Sequence, residues 1–145
     1  GLRSATSIPT MHSQVDNDSI RLFKDVNANT LLVPQLESIV ALENLEEILS
    51  VEGIDGTFIG PYDLSMSLGV AGKLNHPDVL SAKKIVLDAT RAHGLVAGIH
   101  LVHPGTAAED CSTAVADGYR FIALGTDILF LGETARALSS AVNAE

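Results

Sequence analysis

Basic residues, cysteine and long apolar runs are all scarce in this chain. Nine Lys and Arg stand against eighteen Asp and Glu, a formal charge of −9 over 145 residues. That balance opposes long-range capture of nucleic acid or of an anionic membrane surface, so neither is expected as a partner. A single cysteine, Cys111, excludes an internal disulfide and fits a reducing cytoplasm. No apolar run approaches the roughly 18 residues of a membrane span or resembles the apolar segment of a signal peptide. The first residue is Gly1 rather than Met, as expected of a processed product or an excerpt of a longer chain. What is present is 46% apolar content, enough for one folded unit with a core.

Residues 1–29 are polar and irregular, and read as a connecting segment with a short helix near Asp18–Val26. From residue 30 to 145, short apolar runs alternate with stretches of helical period, the pattern of successive βα units on a parallel sheet. The expected strands are Leu31–Leu36, Gly56–Gly60, Leu95–His100 and Tyr119–Leu124. The first is too apolar to have a wet face, and the helix after it carries Leu42, Leu45 and Leu49 at core spacing. Pro77 opens a helix that runs to His93 with Val79, Ala82, Val86 and Ala89 inward, and Gly94 stops it. Pro104–Asp117 reads as a small-residue helix with Ala108, Cys111 and Val115 inward, closed by Gly118. A last helix spans Ile128–Val142. Four such units make either a small doubly wound sheet or half of an eight-stranded barrel, and both place ligands at the carboxyl ends of the strands.

Two carboxylates stand at such ends. Gln35 and Glu37 close the first strand on one side of it, and Asp63 follows the second in Gly60-Pro61-Tyr62-Asp63. Neighbouring strands lie about 4.8 Å apart, so Glu37 and Asp63 are placed to share one hard cation such as Mg²⁺ or Mn²⁺. The competing reading makes Glu37 a helix starter and Asp63 a turn cap. Gly60-Pro61 further suggests a tight turn that exposes the N–H groups of Tyr62 and Asp63 to a carboxylate, or simply an ordinary turn. His100 ends the third strand on the same rim and is the local candidate for proton exchange. His12, His76, His93 and His103 read as structural or surface residues, and Cys111 as a buried small one. Lys24, Lys73, Lys83 and Lys84 fall in loops or on polar helix positions, which leaves a Schiff-base mechanism without a nucleophile. The loops His103–Gly105 and Gly125–Asp127 occupy the places where barrels often bind phosphate, but carry no basic residue.

Several segments together resemble the HpcH/HpaI aldolase and citrate lyase beta-like family. They are Leu32-Val33-Pro34-Gln35-Leu36-Glu37, Ala41–Ile48, Val51–Gly56, Phe58-Ile59-Gly60-Pro61-Tyr62-Asp63-Leu64-Ser65, His76-Pro77 and Phe121–Asp127. Gly1-Leu2-Arg3-Ser4 resembles a glycine-arginine turn of the same family. The resemblance implies the C-terminal half of a TIM-type (β/α)₈ barrel, strands five to eight, in an α/β fold. It implies a carbon–carbon lyase acting on 2-oxo acids through a pyruvate enolate held on a divalent metal, Mg²⁺ or Mn²⁺ with Co²⁺ also admitted. By motif position Glu37 and Asp63 would be the metal ligands. Gln35, Tyr62 and Asp63 would hold the substrate, pyruvate with an aldehyde as its partner. The family's histidine base and carbonyl-polarising arginine lie upstream of Gly1, so turnover is expected to need the complementary half, in the same chain or in another. A homo-oligomer is also expected. A citrate lyase beta-like or malyl-CoA-type lyase, and a non-catalytic half-barrel or interaction module that retains the metal ligands, are the alternatives.

Overall fold

The computed structural model describes residues 19–142, and the chain divides into two compact units, residues 1–31 and 32–145. In the first, helix α1 spans Ser19–Ala28, and Asn29 and Thr30 fold back with side chains donating to the carbonyls of Asp25 and Val26. Arg3 and His12 lie outside the described residues.

The second unit is a repeating strand-and-helix sequence. It runs β1 (Gln35–Leu36), α2 (Ile39–Glu43), α3 (Leu45–Leu49), β2 (Gly56–Ile59), α4 (Pro61–Ser67) and α5 (Pro77–Ala92). Then follow β3 (Val96–Leu101), a 3₁₀ turn at Pro104–Thr106, α6 (Ala107–Asp117), β4 (Phe121–Leu124) and α7 (Asp127–Val142). The four strands are parallel and lie in chain order, β1-β2-β3-β4. That is the arrangement of half a TIM-type barrel, in which each helix returns the chain to the start of the next strand.

Alternation along the strands divides the sheet into two faces. Leu36, Thr57, Ile59, Ala97 and Ile99 point to the helical layer and are buried against Leu45, Leu49, Leu64, Ala82, Val86 and Leu87. A buried polar pair in this layer, the hydroxyls of Thr57 and Thr90, is closed on itself at 2.8 Å. Gln35, Phe58, Gly98 and Phe121 form one row across the other face. Phe58 and Phe121 are in ring contact there at 5.4 Å, and Phe121 stays half exposed.

The helix boundaries follow local chemistry. His76 caps α5 by accepting from the Asp78 N–H at 3.3 Å, Pro77 fills the first turn, and Arg91 sits in the last. Gly94 and Gly118 take the left-handed stops, with φ of 72° and 117°.

Three expectations need correction. The first strand pairs over two residues, because Pro34 has no N–H to contribute, although Pro34 and Leu32 carbonyls still accept from Phe58 and Asp55. Leu31 and Leu32, expected dry, are 75% and 52% exposed beside this edge strand. The helix that follows breaks at Asn44 into α2 and α3, with Leu45 and Leu49 buried and Leu42 half-buried. In α6 the inward residue is Ala114, while Ala108 and Val115 face out and Cys111 is half-buried.

Candidate active site

The carboxyl ends of the strands bring Gln35, Glu37 and His100 to the sheet face that points away from the helices, whereas Tyr62 and Asp63 lie exposed in the first turn of α4. Gln35 pairs in register with Phe58, and Phe58 with Gly98. Two residues further, the same register runs Glu37, Gly60, His100 and Ala123, the last two paired between β3 and β4. Glu37 and His100 therefore stand on either side of Gly60, about 10 Å apart at two strand spacings. A side chain at Gly60 would occupy the space between them: a Cβ there would lie 2.7 Å from Gln35 Nε2 and 2.8 Å from Glu37 Oε2.

Each group is held by a neighbour. Gln35 Nε2 donates to Glu37 Oε2 at 2.5 Å, which fixes that carboxylate over Gly60. Ser38, not Glu37, caps α2, its Oγ accepting from Ala41 N–H at 3.2 Å, so the helix-starter role proposed for Glu37 is already taken. Ser67 Oγ accepts from Ile39 N–H at 3.0 Å and ties this loop to the end of α4. Asp63 lies in the first turn of α4, where its charge suits the helix dipole. The N–H groups of Tyr62 and Asp63, in that same turn, find no acceptor among the described residues. Ser65 shapes the loop beyond by donating to Tyr62 carbonyl at 2.6 Å and accepting from Gly72 N–H at 2.9 Å.

His100 Nε2 donates to the Gly125 carbonyl at 2.9 Å, and its ring stacks on Phe58 with centroids 6.4 Å apart. A carbonyl only accepts, so Nε2 carries the proton and Nδ1 is left as the basic nitrogen of the neutral ring. Gly125 also gives its N–H to the Leu101 carbonyl at 2.7 Å, so that donor is spent on the fold rather than offered to a phosphate.

Among the described residues no three or more His, Cys, Asp or Glu side chains cluster as a ready metal cage. A Mg²⁺-like ion keeps several waters and needs only one or two protein carboxylates, a demand that the fixed Glu37 carboxylate meets in part. The remaining histidines serve the fold: His76 caps α5, His93 Nε2 meets Glu46 Oε2 at 2.9 Å, and His103 is exposed. Arg120 spends its guanidinium on the carbonyls of Val115 and Tyr119.

Lys83 departs from its expected solvent-facing place. It is half-buried and lines a cleft of about 310 Å³ between α5 and α6 that reaches the carboxyl end of β3, where His100 and Val102 also line it. Burial lowers its ammonium below the usual lysine value of 10.5, against the pull of Asp117 and Asp110. Sequence reasoning missed this residue, whose only signal was its position one residue after buried Ala82.

A half-barrel of parallel βα units with acidic and imidazole side chains toward its carboxyl rim defines a class, the TIM-barrel enzymes. The comparisons make this specific. The chain belongs to the HpcH/HpaI aldolase/citrate lyase family, whose profile matches residues 3–132. It is 46% identical over 107 residues to a 2-keto-3-deoxy-L-rhamnonate aldolase from Salmonella dublin, covering 74% of this chain and 39% of that protein. The HpcH/HpaI aldolase of Desulfitobacterium hafniense superposes with a TM-score of 0.77 at 27% identity, over 97% of this chain and 52% of that one. A family protein from Burkholderia cenocepacia gives 0.75 at 31% identity, over 83% and 45% respectively. The chain thus spans from two-fifths to about half the length of these relatives.

Proposed function

We propose that this chain supplies the metal- and carboxylate-holding half of a class II aldolase that cleaves or forms a carbon–carbon bond next to a 2-oxo acid. The observation that carries this reading is the row Glu37–Gly60–His100, which leaves open space between a fixed carboxylate and a fixed imidazole. Family membership and the 46% identity to an aldolase support the reaction class.

In this reading Glu37 and Asp63 hold a divalent cation, Mg²⁺ or Mn²⁺, and Gln35 orients Glu37 through their 2.5 Å hydrogen bond. The cation supplies Lewis acidity toward a ketone oxygen where negative charge develops. Tyr62 and Asp63 offer their unspent N–H groups to the substrate carboxylate, which an acidic chain otherwise lacks the means to hold. His100, anchored by Gly125, receives or returns a proton at Nδ1. Gly60 keeps the space between them clear. Pyruvate is the 2-oxo acid and an aldehyde the second reactant.

The full reaction needs the complementary four βα units, in the same chain or another. The open face, with Phe121 48% exposed, and α7, without a buried residue, supply apolar surface for that half or for a second copy. A cytoplasmic residence suits a chain with a single cysteine. Among the described residues no helix is long and apolar enough to cross a membrane.

Exchange of pyruvate methyl protons in heavy water, followed by NMR, tests the half-reaction. Exchange that requires Mg²⁺ or Mn²⁺ and is lost in Asp63→Ala is the expected result. Metal binding without exchange would overturn the assignment of His100 and favour a non-catalytic half-barrel. Exchange that survives Asp63→Ala would overturn the metal ligands.

A further inference from the structure

The face of α6 that meets α5 is unusual for a packed helix. Asp110, Thr113, Ala114 and Asp117 recur at i, i+3, i+4 and i+7, so they form a single stripe, and all four line the cleft. An apolar stripe at these positions would have closed the helix pair. Instead only Ala114 is buried, and the two helices leave about 310 Å³ between them. Opposite, α5 contributes Leu80 and Lys83, one turn apart. The floor is apolar, with Ile99 and Leu101 pointing to the helical side of β3.

The charges across this cleft do not satisfy one another. Lys83 is within electrostatic reach of Asp117 and Asp110, yet among the described residues no ion pair joins it to either. Burial lowers its ionisation more than Asp117 and Asp110 raise it, so the two acids offset only part of its desolvation. Asp110 has one oxygen engaged by Thr106 Oγ at 2.5 Å, and Asp117 makes no side-chain hydrogen bond among the described residues. Tyr119 fixes the base of the cleft, its hydroxyl donating to the Lys83 carbonyl at 3.4 Å.

We propose that this cleft is a binding site for a small zwitterion with an apolar side chain, an aliphatic α-amino acid. Its carboxylate meets Lys83 on one wall, its ammonium meets Asp117 and Asp110 on the other, and its side chain lies on Leu80, Ile99 and Leu101. The volume stands at the small end of ligand sites, roughly 300–1,000 Å³, which suits a molecule of this size and excludes a nucleotide cofactor. Two acids against one lysine also reject a dianion and disfavour a simple carboxylate, whereas a zwitterion matches both walls. Neither Glu37 nor Asp63 lines the cleft, so the proposed metal ligands take no part in it, although His100 and Pro61 of the neighbouring rim border it.

Calorimetry and amide NMR on the whole chain with L-leucine, in the presence of EDTA, test this. The expected result is binding in the millimolar range or tighter, with shifts centred on Val102, Thr113 and Ala114. Isocaproate, which lacks the ammonium, and isoamylamine, which lacks the carboxylate, should each bind at least about tenfold more weakly. Lys83→Met and Asp117→Asn should each cost a similar factor, while Asp63→Ala leaves binding unchanged. The proposal is overturned if leucine produces no shift at those amides, or if isocaproate binds as tightly as leucine. It is equally overturned if a folded Lys83→Met or Asp117→Asn variant binds like the parent, or if Asp63→Ala abolishes binding.

Discussion

Replacing Gly60 with alanine adds one methyl group at the centre of the proposed site and removes nothing. The backbone there is at φ −95° and ψ 88°, which alanine adopts without strain, so the effect comes from what the methyl meets. It would stand 2.7 Å from Gln35 Nε2, 2.8 Å from Glu37 Oε2 and 3.4 Å from Glu37 Cβ. The first two are the ends of side chains, so the pair swings aside, breaking or stretching its 2.5 Å hydrogen bond, while the strand stays in place. The lost cap preference and the partial overpacking together cost about 1–2 kcal/mol of stability. The effect on function is larger in kind, because the carboxylate leaves its post. Divalent-metal affinity should fall about tenfold, equivalent to about 1.4 kcal/mol, although both acids remain. Metal titration by calorimetry, paired with urea denaturation without metal, separates the two effects. Parent-like metal affinity in Gly60→Ala, with the protein folded, would refute the placement of Glu37 over Gly60 as a ligand.

Gly98→Ala provides a contrast in the same sheet. Its methyl would lie 2.8 Å from the Thr57 carbonyl and 2.9 Å from both Phe58 and Phe121, and the carbonyl cannot swing aside. A stability loss of about 2–3 kcal/mol is expected by chemical denaturation, and a loss under 1 kcal/mol would contradict the packing. Tyr119→Phe addresses alkaline stability, since burial raises the Tyr119 hydroxyl from 10.0 to about 12. The folded state keeps this proton after the unfolded chain has lost it, so the parent loses up to about 2.7 kcal/mol as pH rises from about 10 to about 12. Lys83, lowered by burial, works in the opposite direction in both proteins, so the parent-minus-variant difference isolates the tyrosine. A difference in urea stability that does not change across this range would remove the burial argument. His100→Gln should leave metal affinity unchanged while reducing pyruvate proton exchange at least about a hundredfold. Equal exchange rates in the two proteins would show that another group takes the proton.

Punctuation residues made most of the architecture legible. Pro77, Gly94 and Gly118 mark helix limits to within about a residue, because each acts through its own backbone conformation. The strand centres were equally clear from their apolar runs. What was not legible depends on tertiary contacts. The small residues of α6 offer little contrast around the helix, so packing on β3, not periodicity, decides that Ala114 turns inward and Val115 outward. Lys83 looked solvated for the same reason, since a stripe containing Asp110 and Asp117 does not announce a cleft. For the site, residue types and strand ends pointed to Glu37, Asp63 and His100. The alignment of Glu37 and His100 across Gly60 depends on strand register, which a one-residue slip would reverse.

The identity of strand order and chain order bears on how the sheet assembles. Gln35 and Phe58 are 23 residues apart, Phe58 and Gly98 are 40, and Gly98 and Phe121 again 23. Closing the longest of these loops costs only about 0.5 kcal/mol more than closing the others. Chain entropy therefore sets almost no sequence of events along the sheet, and the order in which ladders form passes to the helices that bridge them. α5 packs on both β2 and β3, so its docking joins the β1–β2 end to the β3–β4 end. A cooperative whole thus arises from a nearly one-dimensional array, with one helix between β2 and β3 as the joint on which cooperation turns.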